Sequence, residues 1–134
     1  MPGGREDEGG FMEISLENVQ EKFILYSGEP MDGQDPRRDK LCGELCRECA
    51  GWVGRRLLPG AEEGRAGEAE SWAAARAFYQ LTLLDQATGP MAVASPELKV
   101  ELGDRARHAW ELCEEKYRAC AGLLGWDRFY FGQV

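Results

Sequence analysis

Cys42, Cys46 and Cys49 stand in a C-x3-C-x2-C spacing, and no other residues of this chain are better suited by type and density to chemistry. Thiolates hold iron–sulfur clusters and structural zinc, so the triplet is a candidate site for iron or zinc. The element that must carry it works against that use. From Leu41 onward the apolar residues recur at helical spacing, which places Leu41, Leu45, Cys46, Cys49, Trp52 and Val53 on one helix face. On a straight helix Cys42 and Cys49 lie about 10 Å apart along the axis, too spread for three thiolates on one compact cluster. Only a break at Gly43 or Gly51 would gather them.

The same spacing resembles the cluster-binding motif of radical S-adenosylmethionine enzymes. Those enzymes carry it on a loop of a large α/β barrel, whereas this chain is short and reads as helical. A plainer reading covers Cys46, Cys49, Cys113 and Cys120 together: each falls on an apolar helix face, where reduced cysteine serves as a small buried residue. Five cysteines, an odd number, and an N-terminus without a secretory pattern argue against a disulfide framework.

Other catalytic constellations are missing from the sequence. The single histidine, His108, falls one step off the apolar face of the last helix, near Arg105 and Glu111, and reads as a surface or boundary residue rather than a general base. Glu111, Glu114 and Glu115 form a solvated face. There is no Glu-x-x-His pair of the di-iron bundles, no G-x-x-x-x-G-K-[ST] phosphate loop and no G-x-G-x-x-G turn. The sequence therefore predicts a protein that is not an enzyme and holds no cofactor.

Composition sets the class. A chain of 134 residues, 43% hydrophobic and 30% charged, is about one globular domain and can bury a core without staples. No apolar run approaches the roughly 18 residues of a membrane span. A net charge of −8 opposes a main role in gripping phosphate backbones, so direct sequence-specific nucleic-acid binding is not expected. Arg37, Arg38 and Lys40, then Arg55 and Arg56, are the local exceptions and read as solvated helix faces. Met1 to Gly10 has neither a basic start nor an apolar stretch, which predicts a cytoplasmic protein.

The elements follow from punctuation and period. Residues 1–12 are Gly-rich and charged and predict a disordered segment, with Met12 a second candidate start; residues 13–134 predict one mainly α domain, a bundle of about four helices. Ser15 is a candidate N-cap for a first helix ending at Gly28, and Asp35-Pro36 opens a second that runs to about Leu58. The acidic stretch Ala61 to Glu70 reads as an exposed linker or a frayed helical start. A third helix, about Ala69 to Gln86, turns Trp72, Ala75, Phe78, Tyr79 and Leu83 inward, with Arg76 at the stripe's edge reaching to water. Val93, Leu98, Val100 and Leu102 favour a short β-hairpin or extended arm, although Ser95-Pro96-Glu97 also suits a helix start. Asp104 then caps a last helix over Arg105 to Leu124, with Ala106, Trp110, Cys113, Tyr117 and Cys120 facing inward. Trp126, Phe129, Tyr130 and Phe131 close the chain as an aromatic tail that must fold back or lie on a neighbour.

Taken in order, the opening helix ISLENVQEKFILYSG, the helix WAAARAFYQLTLLDQAT, the arm around LKVELGD, a long helix and the closing FYFGQV resemble the layout of small proteins of bacterial prophage head modules, relatives of the head-to-tail connector or head-completion family. That resemblance implies a mainly helical, non-enzymatic subunit that self-associates into a ring beneath the portal and meets portal and tail-adaptor proteins. It places the protein in the bacterial host cytoplasm, and in the virion where the phage is intact. It makes Val93, Leu98, Val100, Leu102, Trp126, Phe129, Tyr130 and Phe131 the assembly contacts. The alternatives are a stand-alone helical interaction or regulatory protein acting as a homodimer, and a small cysteine-ligated metal or Fe–S protein.

Overall fold

Local signals in the chain start and stop each helix. The computed structural model describes residues 14–58, 65–88 and 96–123. Helix α1 (Leu16–Ser27) begins where the Ser15 side chain accepts the Asn18 N–H, and it ends at Gly28, whose φ of 80° is the left-handed conformation that glycine adopts without strain. Helix α2 (Pro36–Gly54) is capped by Asp35, which accepts the Arg38 N–H, and carries Pro36 in its first turn. Helix α3 (Ala66–Ala87) and helix α4 (Pro96–Cys120) follow, and a 3-10 turn over Ala121–Leu123 ends the described chain.

The result is a mainly α, single-domain bundle, with four α-helices and no strand among the described residues. Helix α3 is central: α1, α2 and α4 all pack on it, and α1 also meets α2. The sequence of α3 explains why. Ala69, Ala73, Ala74, Ala75 and Ala77 are all fully buried, and their small size lets neighbouring backbones come close. Trp72, Phe78 and Leu81 fill the space between them, together with Val19 and Phe23 of α1 and Val53 of α2. Full burial of a side chain such as Phe23 or Phe78 contributes about 1.5–3 kcal/mol. No helix among the described residues is long and apolar enough to cross a membrane.

Three expectations are corrected here. Leu98, Val100 and Leu102 belong to α4, not to a hairpin or extended arm: Pro96 opens the helix eight residues ahead of Asp104, which lies inside it, beside Arg107 at 3.0 Å. Apolar residues two apart fit a strand, but Leu98 and Leu102 are also one helical turn apart and half-buried, while Val100 points outward, 62% exposed. Trp110 is 48% exposed rather than buried, while Ala106 and Ala109 form part of the buried side of α4, the helix that packs on α3. Glu70, expected in an exposed linker, is buried at the start of α3. Its carboxylate accepts the Ser15 N–H (2.9 Å) and the Asn18 amide (3.2 Å), fastening the head of α1 to α3.

Candidate functional site: an aromatic groove beside Arg76

The three cysteines of the C-x3-C-x2-C motif share α2, which runs unbroken through all of them. Cys42, Cys46 and Cys49 are all buried, and burial pushes their thiols up, Cys42 to about 11 and Cys46 and Cys49 to about 12. Burial thus disfavours the thiolate form. Cys49 touches Gln80 of α3, with Sγ 3.7 Å from the amide oxygen. Among the described residues no group of three or more His, Cys, Asp or Glu side chains is placed to hold a metal ion. Cys120 is buried as the pattern predicts, and Cys113 is half-buried. His108 is exposed, with its ring edge toward Phe78.

Two arrangements stand out that spacing alone did not assemble. The first ties the helix ends together. Arg38 donates to Glu29 (3.1 and 3.0 Å) and to both oxygens of Asp85 (2.8 and 2.8 Å), and Arg105 donates to Asp85 (3.4 Å) and to the Ser27 carbonyl (3.0 Å). The bonds to Asp85 and Glu29 raise the Arg38 pKa further, so this guanidinium stays charged. Arg38, expected on a solvated face, is instead a structural clamp joining the loop after α1, the start of α2 and the end of α3. Arg105 joins α4 to it.

The second is a groove of about 400 Å3 between α2, α3 and α4, walled by Trp52, Trp72, Trp110 and Tyr117 and edged by Cys113 and Arg76. Trp72 is its floor: Trp52 meets it edge-on at 5.3 Å and Tyr117 lies tilted against it at 5.2 Å between ring centres. Such pairs add about 0.5–1.5 kcal/mol beyond the area they bury. Arg56 and Arg76 each place a guanidinium carbon over the Trp52 ring, at 3.6 and 3.7 Å from its centre. Two such groups would overlap on one face, so they sandwich the indole.

Arg76 is half-buried at the edge of the stripe, with its guanidinium against Trp52. Its Nε is buried and has no hydrogen-bond partner. An unsatisfied buried donor costs about 1–3 kcal/mol, more when charged. Burial and the neighbouring Arg55 and Arg76 lower the pKa of Arg56. Glu114 lines the groove on the α4 side and pairs with Arg118 at 3.5 Å. The pairing of Trp52 with Trp72 and of Arg76 with Trp52 carried no sequence signal beyond helical phase, because they depend on how three helices cross.

Among the expected contact residues, Leu98, Val100 and Leu102 sit on the first turns of α4, away from this groove. Val93, Trp126, Phe129, Tyr130 and Phe131 lie outside the described residues. The fold defines a small helical bundle with an open aromatic groove. No family model, curated protein or solved structure matches this chain.

Proposed function

We propose that this protein is a non-enzymatic structural subunit that works by self-association, with the aromatic groove as the face that receives a neighbouring copy. One observation carries the reading: Trp110, 48% exposed, stands at the edge of a groove already walled by Trp52, Trp72 and Tyr117. A concave aromatic surface is where association gains most from excluding water, and tryptophan, tyrosine and arginine dominate such contacts. The likeness of layout to head-completion proteins supplies the form, a ring of copies joining portal and tail-adaptor proteins of a prophage in a bacterial cytoplasm.

A second reading, a stand-alone homodimer, is favoured by a different surface. Leu83 and Leu84 of α3 are 42% and 38% exposed and line a mostly apolar groove of about 490 Å3 with Leu45 of α2. The same patch on both copies would make an isologous dimer.

Light scattering of the purified, reduced protein over a wide concentration range separates these readings. A multi-subunit mass that Trp110→Asp abolishes and Leu84→Asp leaves intact supports the ring-forming subunit. A fixed dimer sensitive only to Leu84→Asp supports the second reading. A monomer at every concentration overturns both.

A further inference from the structure

Among the described residues Leu25 is the most exposed large apolar side chain, 79% open on the outer face of α1. Glu21 and Glu17 stand one and two turns before it on that face. Both are exposed, and neither forms an ion pair among the described residues. Leu25 thus ends an acidic row on a helix whose inner residues, Val19 and Phe23, are already buried in the core.

The aromatic groove carries the opposite charge. Arg55 and Arg56 follow α2 beside Trp52, and Arg76 meets the same indole from α3. None of the three forms an ion pair among the described residues. Of the carboxylates nearby, Glu114 is held by Arg118 at 3.5 Å, and Glu48 shares a small pocket with Arg55 and Arg76. Cations therefore outnumber carboxylates along this edge, in a chain whose net charge is −8. Two copies repel each other through most of their surface. The contact that attracts sets carboxylates of one copy against the arginines of the other.

We propose that the groove of one copy receives the outer face of α1 from the next, with Leu25 seated among Trp52, Trp110 and Tyr117 and with Glu17 and Glu21 facing the arginines around Trp52. The inference rests on self-association as the protein's mode of action. It is a helix laid in a groove, anchored by one apolar residue and aligned by charges on the same row, which spans about 12 Å from Glu17 to Leu25. Helix α1 packs on α2 and α3 and supplies no wall of the groove, so Leu25 does not enter the groove of its own copy. Row and groove are different surfaces, so the contact is heterologous and closes into a ring where the rotation allows. Val100 of α4 also points outward, but it is smaller and the exposed Lys99 adjoins it.

Two variants divide the contact. Leu25→Asp removes the anchor of the row and keeps the groove, whereas Trp110→Asp damages the groove and keeps the row. Both side chains are exposed, so circular dichroism should show the bundle intact in each. In light scattering each variant alone should associate at least about tenfold more weakly than the parent protein. Mixed at concentrations where the parent associates, the two should form a one-to-one complex, since one brings an intact groove and the other an intact row. Glu17→Arg/Glu21→Arg and Arg55→Glu/Arg56→Glu should each weaken association in the same way, and mixing these two should restore it. Association that persists in Leu25→Asp, or mixtures that stay monomeric, would overturn the proposal and leave self-association standing. So would a loss caused by Val100→Asp in place of Leu25→Asp. A parent protein that is monomeric at every concentration would overturn self-association itself, and the proposal with it.

Discussion

Arg38 grips Asp85 through two bonds of 2.8 Å across 47 positions of chain, and the same guanidinium holds Glu29. This bidentate contact joins the start of α2 to the end of α3, with the three side chains between 15% and 28% exposed. Charge-assisted, forked and partly shielded, it differs from the solvated pairs Arg47–Glu44 and Arg107–Asp104. Arg38→Ala should therefore cost about 1.5–3 kcal/mol in chemical denaturation, because Glu29 and Asp85 keep only their longer contacts with Arg105. Arg107→Ala should change the midpoint by no more than about 0.5 kcal/mol. Equal effects of the two substitutions would remove the clamp from the account.

Glu70 offers a second test, since its carboxylate serves the N–H of Ser15 and the amide of Asn18 while itself buried. Glu70→Ala should destabilise by about 1–3 kcal/mol by stranding those donors. Glu70→Gln keeps an acceptor and should cost less. Amide hydrogen exchange should show the loss first in the opening turn of α1.

The cysteines predict a pH dependence of definite sign. Burial pushes the Cys46 and Cys49 thiols up to about 12, against an ordinary value of 9.0. Above pH 9 the unfolded chain releases these protons while the folded chain keeps them. Stability is therefore full below about pH 9 and falls as pH rises toward 12. Denaturation midpoints measured across that interval should drop, and a Cys46→Ala/Cys49→Ala variant should show a shallower decline.

Serine in place of Cys46 should cost about 1–3 kcal/mol, because a hydroxyl there enters an apolar site. Cys113→Ser should cost less, as Cys113 is only half-buried. Thermal melts that rank the two the other way would contradict their placement.

Close packing around α3 gives a last prediction. Ala73 and Ala77 are fully buried where other helices rest on α3. Ala73→Leu should destabilise by about 1–3 kcal/mol or more through overpacking, while Ala87→Leu at the exposed end of α3 should be nearly neutral.

Helix capping at Ser15, Gly28 and Asp35-Pro36 was legible in the sequence because each acts within four residues, whereas Asp104, read as a cap, lies inside α4. The buried faces of α2 and α3 followed largely from period, since a helix in a bundle has one inward side, but Leu83, expected inward, is 42% exposed near the end of α3. Arg38 and Glu70 were misread for a shared reason. A charged residue on a helix is exposed by default, and only the positions of other helices can supply Asp85 or Ser15 as its company. The turn-to-turn spacing of Leu98 and Leu102 fits a helix, yet their alternation with Val100 fits a strand equally well. Packing on α3 decided between them. The groove belongs to the same class of information, since its walls come from three helices and its phase can be read only after they cross.

The Leu58–Leu123 hydrogen bond has a mechanical consequence. A pull applied to the chain beyond Leu123 enters the bundle at that carbonyl. Part of the load passes across one backbone bond to the end of α2, and the rest runs along α4 into α3. Leu123 is thus held at two points rather than hanging from the last turn of a single helix, so such a pull strains the bundle as a unit before it frays α4.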